Sequence, residues 1–241
     1  MSGTAALFSD IDGTLLGDAS SEEDFSAYLK ARRSRLMLAY VTSRSMRSTL
    51  ALVADGRLPI PRFVCTSVGT ELRDLDDPSN ALGKKYRELA PHDWSTENLV
   101  HVGTSVGLTI QPPEEQAAYK VSFYWDGNQQ TLAQLCYRIT ADSHCCRVLA
   151  SSQRYIDLLP TTYGKGAAVS FLLSELKLDR SECYVAGDTE TDLPLFELGC
   201  RGILPANALP ALTQRVKHPD CYRSNCRYAA GILDGLAHWG A

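Results

Sequence analysis

Leu7-Phe8-Ser9-Asp10-Ile11-Asp12-Gly13-Thr14 decides the fold: an apolar run ends in two aspartates one residue apart, and a Gly-Thr turn follows. Residues i and i+2 of a strand point the same way, so Asp10 and Asp12 can address one spot beyond the strand's end. Gly13 permits a sharp turn and the close approach of a ligand. Buried carboxylates without partners are costly. The pair therefore indicates a site with a cation or a proton, unless the aspartates merely shape a turn.

Predicted strands and helices alternate along the chain after this stretch. Apolar strands at 4–9, 36–41 and 63–66 are separated by segments of helical periodicity, which is typical of a parallel sheet covered on both faces. After Glu71 the strands and helices lose this apolar continuity, and a strand at 183–186 restores the first pattern. We predict an α/β fold: a doubly wound, Rossmann-like parallel-sheet core at 1–80 and 156–241, with an α+β cap domain inserted at 81–155.

Polar clusters follow three of the predicted core strands, and ligands of open parallel sheets bind at such carboxyl ends. Thr42 and Ser43 lead into a helix whose free N–H groups favour an anion, although both residues also suit simple capping of that helix. Lys165 opens another helix, where a cation is unfavourable, and this favours a functional role. The clusters are Asp10 with Asp12, Thr42 with Ser43, and Asp188 with Asp192.

The charges of these clusters require a cation if the clusters meet. Four carboxylates against one lysine leave a formal charge of about −3, which a buried site does not hold without compensation. Carboxylate oxygens with room for water suit Mg²⁺, whose usual partner is a phosphate. Paired carboxylates, a metal, an anion cradle and a lysine are the parts that phosphoryl transfer needs, because its catalysis is mainly positioning and charge neutralisation.

Four motifs occur in order: Asp10-Ile11-Asp12-Gly13-Thr14, then Thr42, then Lys165, then Gly187-Asp188 with Asp192. They resemble the four motifs of the haloacid dehalogenase superfamily. Lys165 comes 123 positions after Thr42, which leaves room for the cap between them, a position similar to that in the superfamily's sugar-phosphate phosphatases.

The resemblance to this superfamily implies a role for each aspartate. Asp10 is the implied nucleophile and becomes an aspartyl-phosphate. Asp12 is implied to protonate the leaving alcohol and then to activate water. Asp188 is implied to bind Mg²⁺ together with the carboxylate of Asp10 and the backbone carbonyl of Asp12, and Asp192 is expected to complete the metal site.

A closer likeness extends over almost the whole chain. The stretches that carry it are AYVTSRS at 39–45, VGTE at 68–71, YKVS at 119–122, DLLP at 157–160 and GILDGLAH at 231–238. They resemble the sucrose-phosphate phosphatases in their short form, without an extra C-terminal domain. Ser43 stands where that family usually has glycine, and Thr191 where it usually has asparagine. We expect Thr191 to change how Asp188 and Asp192 are held.

The same resemblance implies the residues that contact the substrate. Thr42 and Lys165 are expected to act on the phosphate, and Ser43 and Arg44 are expected to bind the substrate beside Thr42. Selection among sugars has to come from the cap and its facing loop, because the core motifs contact only phosphate and metal. The groups expected there, which equally suit a solvated strand face, are Glu71, Gln116, Lys120 and Ser122.

We predict a Mg²⁺-dependent phosphomonoesterase of a disaccharide phosphate, with sucrose 6-phosphate as the leading substrate. The alternatives are mannosylfructose phosphate, mannosyl- or glucosyl-3-phosphoglycerate, a phosphomutase, or a phosphatase-like accessory module of a sugar-phosphate synthase. The net charge of −4 and the lack of a long apolar run indicate neither nucleic acid nor membrane as a partner. Eight cysteines without a C-x-x-C pair favour reduced thiols. We expect a cytoplasmic monomer, and association with a synthase stays open.

Overall fold

The first predicted strand becomes the centre of a seven-stranded sheet. The computed structural model of the protein describes residues 5–141 and 145–241, and the predicted strand start at Thr4 lies outside them. The strands are β1 (Ala5–Ser9), β2 (Leu36–Val41), β3 (Phe63–Thr66), β4 (Glu71–Asp74), β5 (Thr109–Ile110), β6 (Val121–Tyr124), β7 (Cys146–Ser151), β8 (Tyr155–Pro160), β9 (Cys183–Ala186), β10 (Arg201–Leu204) and β11 (Cys221–Arg223). The large sheet has the order β11-β10-β9-β1-β2-β3-β4. Its strands are parallel except for β4, which runs antiparallel to β3.

Helices cover both faces of this sheet. They are α1 (Ala19–Arg32), α2 (Met46–Ala54), α3 (Ala81–Arg87), α4 (Thr96–Ser105), α5 (Gln129–Ala141), α6 (Lys165–Glu175), α7 (Leu193–Phe196), α8 (Pro210–Thr213) and α9 (Tyr228–Trp239). Because successive strand residues point to opposite faces, Leu7 packs in the core beneath α1, α2 and α9, and Phe8 packs in the core beneath α6 and α7. The predicted doubly wound α/β core is confirmed. Within the described ranges, no helix is both long and apolar enough to cross a membrane.

A second, antiparallel sheet has the order β5-β6-β8-β7. One face of it is covered by α4 and α5. Val121, Phe123, Ile156 and Leu158 form a third hydrophobic core with those helices. These strands and helices are the α+β part that the loss of apolar continuity predicted.

The limits of this inserted part differ from the predicted 81–155. Tyr86 of α3 packs in a core of the large sheet, and β8 pairs with β6 and β7 rather than with a strand of that sheet. The predicted core domain wrongly included the residues of β8 from 156 onward. An apolar strand has the same residue pattern in either sheet, and the strand with which it pairs lies too far along the chain to be read from that pattern. We therefore propose that the cap begins after α3 and ends at Pro160.

Candidate active site

Three adjacent strands carry the predicted core residues to one edge of the large sheet. Asp10 directly follows β1, Thr42 directly follows β2, and Asp188 lies two residues beyond β9. In this sheet β1 pairs with both β2 and β9, so the three carboxyl ends are neighbours. The backbone N–H of Asp10 donates to the carbonyl of Ala186 at 3.0 Å and continues that pairing into the site.

Lys165 lies buried between two aspartates. Its Nζ is 2.7 Å from Oδ1 of Asp10 and 2.6 Å from Oδ1 of Asp192. Burial acts to lower the pKa of the lysine, but the attraction of the two carboxylates outweighs burial and raises that pKa above its ordinary value. The unfavourable position of a cation at the start of α6 is therefore compensated by two specific partners.

Asp10, Asp188 and Asp192 converge at this point. Each offers a carboxylate oxygen, and these three oxygens lie within 4.8 Å of one another. Desolvation raises the pKa of Asp188 to about 6, and the neighbouring Asp192 adds to the effect. Desolvation also raises the pKa of Asp10 well above its ordinary value, although Lys165 opposes the shift. The raised pKa values show that one lysine does not compensate this group of carboxylates.

Thr14 holds the carboxylates of two different strand ends. Its buried hydroxyl donates to Oδ1 of Asp188 at 2.8 Å and lies 3.5 Å from Oδ2 of Asp10. Thr14 lies within the first motif, but the sequence predicted no role for it, because its contact with Asp188 joins residues 174 positions apart. The only local signal was the hydroxyl directly after the Asp12-Gly13 turn.

Asp192 uses both of its oxygens to hold other groups. Oδ1 accepts from Lys165, and Oδ2 accepts the backbone N–H groups of Asp188 at 3.0 Å and Thr189 at 3.1 Å. The hydroxyl of Thr191 lies 2.9 Å from that of Thr189, which donates to Oδ2 of Asp192 at 3.3 Å. Thr191 therefore reaches the Asp192 carboxylate only through a second threonine, Thr189.

Asp12 is paired with Arg44. Nε and Nη2 of Arg44 donate to the two carboxylate oxygens of Asp12, each at 2.6 Å, and Nη1 donates to Ser48 at 2.9 Å. The Asp12 side chain is 53% exposed, so it lies outside the buried carboxylate group. This forked pair corrects the charge count: four carboxylates against Lys165 and Arg44 leave a formal charge of −2 rather than about −3.

The other predicted phosphate contacts lie in the loop between β2 and α2. Thr42 is buried, and its hydroxyl accepts the backbone N–H of Arg44 at 3.2 Å. Ser43 is exposed beside it. Ser45 caps α2, since its side chain accepts the N–H of Ser48. Capping is thus performed by Ser45, which leaves Thr42 and Ser43 available for an anion.

The predicted sugar contacts of the cap lie on two sides of β6. Ser122 donates to Oδ1 of Asp157 at 2.5 Å, and Nζ of Lys120 is 3.9 Å from the same oxygen. These three buried groups form one polar cluster, and the sequence missed Asp157 because its partners lie on another strand. Gln116 instead bonds the backbone of Gln111 and Ser122, so its amide shapes the cap.

Two glutamates, Glu71 and Glu190, connect core loops near the site to neighbouring segments of the chain. Glu71 accepts the hydroxyls of Thr66 and Ser67 at 2.8 and 3.0 Å, at the turn into β4. In the loop that contains Asp188 and Asp192, Oε1 of Glu190 accepts the N–H of Ser152 at 3.1 Å, and Ser152 lies at the tip of the β7–β8 hairpin of the cap. Glu190 was not predicted, because nothing local shows that a cap turn reaches it.

Comparison with known proteins assigns the family. The model of the sucrose-6F-phosphate phosphohydrolase family matches residues 4–240. The chain belongs to this family. A mannosylfructose-phosphate phosphatase from Agrobacterium fabrum is 31% identical, over 97% of this chain and 96% of that protein. The sucrose-phosphatase of Synechocystis sp. PCC6803, solved with sucrose and phosphate, is 29% identical with a TM-score of 0.89 and 98% coverage of both chains.

A further relative is much longer than this chain. A glucosylglycerol-phosphate synthase from Pseudomonas anguilliseptica is 30% identical over 97% of this chain, which corresponds to 30% of the synthase. Together the comparisons confirm the predicted membership of the haloacid dehalogenase superfamily and the predicted enzyme class. The protein is a sugar-phosphate phosphatase, a phosphoric monoester hydrolase.

Proposed function

We propose that this phosphatase is Mg²⁺-dependent, hydrolyses a disaccharide phosphate through an aspartyl-phosphate on Asp10, and has sucrose 6-phosphate as its leading substrate. The observation that carries the proposal is the buried convergence of Asp10, Asp188 and Asp192, two of which contact Lys165. A nucleophile, a counter-charge and uncompensated carboxylates then lie together at the carboxyl ends of the strands, where ligands of open parallel sheets bind.

The donor set of the site fits Mg²⁺. Asp188 has a raised pKa and accepts one hydrogen bond from Thr14, while Oδ2 of Asp10 has only the long contact to Thr14 at 3.5 Å. Hard carboxylate oxygens that lack compensation are what Mg²⁺ prefers. We assign Asp10, Asp188 and the backbone carbonyl of Asp12 as ligands. Asp192 orients the site, because both of its oxygens are engaged.

The chain's own residues supply the chemistry in two steps. Asp10 attacks phosphorus through Oδ1, the oxygen that Lys165 contacts, while Oδ2 is left for the metal, and the bond between phosphorus and the sugar oxygen breaks. To act as the acid, Asp12 has to carry a proton on an oxygen released from its fork with Arg44; it gives this proton to the sugar oxygen, later takes a proton from water, and the resulting hydroxide cleaves the acyl phosphate. In the structure without substrate, Arg44 holds Asp12 in place as a carboxylate. Bound Mg²⁺ neutralises charge on the phosphate oxygens.

The choice of a disaccharide rests on the cap and on the relatives. Lys120, Ser122 and Asp157 cluster on the face of the cap sheet that α4 and α5 leave uncovered, and this mixture of donors and acceptors suits adjacent hydroxyl groups. The names of two relatives, a mannosylfructose-phosphate phosphatase and a sucrose-phosphatase, both specify a disaccharide. The family whose model matches residues 4–240 is named for sucrose-6F-phosphate, and this supports sucrose 6-phosphate as the leading substrate.

Association with a sugar-phosphate synthase is a second candidate role. It is favoured by the longer relative, in which a segment similar to this whole chain forms part of a glucosylglycerol-phosphate synthase. Such a role is compatible with catalysis, because the catalytic residues are complete here.

Phosphate release over a panel of sugar phosphates, with Mg²⁺ present or chelated, tests the proposal. The panel contains sucrose 6-phosphate, mannosylfructose phosphate, glucosylglycerol phosphate, the two phosphoglycerate conjugates, glucose 6-phosphate and fructose 6-phosphate. We expect sucrose 6-phosphate to lead with kcat/KM at least about 10²-fold above either monosaccharide phosphate, since buried polar groups reject ligands that leave them unpaired. Equal cleavage of all substrates would refute the disaccharide assignment, and activity in excess chelator would refute the metal dependence. The Asp10→Asn protein is the control for contaminating phosphatases.

A further inference from the structure

Asn207 connects the Asp12-Gly13 turn to the last helix of the chain. Its side chain Nδ2 donates to the carbonyl of Gly13 at 2.6 Å, and its Oδ1 accepts the backbone N–H of Tyr228 at 2.8 Å. Asn207 follows β10 and belongs to none of the four motifs. The amide therefore uses both of its ends to hold two backbone segments that lie far apart in sequence.

The same loop also holds the neighbouring aspartate. The N–H of Leu209 donates to the carbonyl of Asp188 at 2.7 Å. Gly13 has a left-handed φ of +78°, and a Cβ there would lie 2.2 Å from Oδ2 of Asp188. The Gly13 peptide and the Asp188 carboxylate are thus in direct packing contact, and the segment 207–209 donates a hydrogen bond to the backbone carbonyl of each residue.

The hydrogen bonds within the turn do not reach the Gly13 carbonyl, because the N–H groups of residues 14–16 all donate to the carbonyl of Ile11. Glycine has more conformational freedom than other residue types, so a contact from outside the turn can fix the orientation of the Gly13 peptide. Tyr228, at the other end of the bridge, adopts a left-handed φ of +51°, which is unfavourable for a bulky side chain and persists only where surrounding contacts impose it. An Asn207 amide that bonds both places is such a contact.

We propose that Asn207 is a positioning residue for phosphoryl transfer. It anchors the Asp12-Gly13 turn to the start of α9, and so keeps the Asp12 carboxyl group and carbonyl in register with the carboxylate of Asp188. The inference rests on the proposed function, in which Asp12 and Asp188 serve the same reaction centre. Asn207 acts through these groups and does not touch the reacting atoms.

The Asn207→Asp variant tests this role with almost no change in shape. The carboxylate still accepts the N–H of Tyr228, but it loses the donor to the Gly13 carbonyl and places an oxygen against that oxygen. Asn207→Ala, which removes both bonds, is the second variant. Asn80→Asp is the matched control, because Asn80 likewise accepts a backbone N–H, that of Asp74 at 3.0 Å, and donates to a carbonyl, that of Leu72, in a turn outside the site.

Three measurements are made on each protein: kcat and KM with a small aryl phosphate, the Kd for Mg²⁺ by calorimetry, and the Tm. For Asn207→Asp we expect kcat to fall about 10–100-fold and the Mg²⁺ Kd to rise about tenfold, as when the support of a metal ligand is lost. KM should stay within about threefold of wild type, because the phosphate-binding loop is untouched. Asn80→Asp should keep the kcat and Kd of wild type.

The outcomes separate this inference from the proposed function. A wild-type protein that binds Mg²⁺ and needs it for turnover, together with an Asn207→Asp protein of unchanged kcat and Kd, would overturn the positioning role alone. Equal losses in Asn207→Asp and Asn80→Asp at equal Tm would also overturn it, since a general structural defect would then explain them. A wild-type phosphatase indifferent to Mg²⁺ would overturn the proposed metal dependence and this inference with it.

Discussion

Replacing Thr14 by valine removes one hydroxyl from the centre of the site and preserves the branched shape of the side chain. In the structure this hydroxyl donates to Oδ1 of Asp188 at 2.8 Å and is completely buried. A hydrogen bond to a charged group contributes about 1.5–3 kcal/mol. If that energy supports the carboxylate as a metal ligand, its loss weakens Mg²⁺ binding by about 10–100-fold, a range typical of groups that orient ligands.

Thr191→Val should have a smaller effect on Mg²⁺ binding than Thr14→Val, and so tests whether the effect depends on direct contact with a carboxylate. The Thr191 hydroxyl reaches Asp192 only through Thr189, so we expect its loss to weaken Mg²⁺ binding by less than about tenfold. Thr49→Val is the control for removal of a buried threonine hydroxyl, because Thr49 bonds the helix carbonyl of Ser45, which also accepts the Thr49 N–H.

Calorimetric titration of the three variants and the wild type with Mg²⁺ gives the Kd values directly, and circular dichroism verifies the fold. The expected order of Mg²⁺ affinity is wild type and Thr49→Val, then Thr191→Val, then Thr14→Val. A Thr14→Val protein that binds Mg²⁺ as tightly as wild type would refute the reasoning. So would a Thr191→Val protein that loses more affinity than Thr14→Val.

Three further predictions follow from the site. Asp10→Asn should abolish phosphate release because an amide does not attack phosphorus, and turnover by this variant would disprove the covalent route. Asp12→Asn should keep phosphate binding while kcat falls about 10²–10⁴-fold. Rapid-quench assays check both variants. Burial raises the pKa of Asp188 to about 6, so the population of its protonated form, which does not bind the metal, increases as the pH falls. The Kd for Mg²⁺ should therefore rise about tenfold per pH unit below 6, and an equal Kd at pH 5 and pH 7.5 would contradict this. Lys120→Ala should erase much of the preference for sucrose 6-phosphate over glucose 6-phosphate while sparing an aryl phosphate, and an unchanged ratio of kcat/KM would exclude Lys120 from sugar recognition.

Local patterns were sufficient to predict which residues of the candidate site lie together. Asp10 and Thr42 each follow an apolar strand directly, Asp188 lies two residues beyond another, and the rules of parallel sheets bring the carboxyl ends of such strands together. Lys165 stood out because a cation at the start of a helix needs a compensating partner, and the structure supplies two. These inferences needed only periodicity, residue type and charge.

The partnerships between distant segments needed the tertiary structure. The pairing of β8 with the cap sheet, the Arg44–Asp12 fork, the Thr14–Asp188 bond and the Asn207 bridge each join groups whose own sequence neighbourhoods carry no sign of the other. The period of a strand and the residue types of a motif depend on the few residues around them, so the sequence alone determined the α/β class and predicted the candidate catalytic groups. Which strand pairs with which, and which hydroxyl or amide holds a given carboxylate, depends on the packing of the whole chain, and only the folded structure decided it.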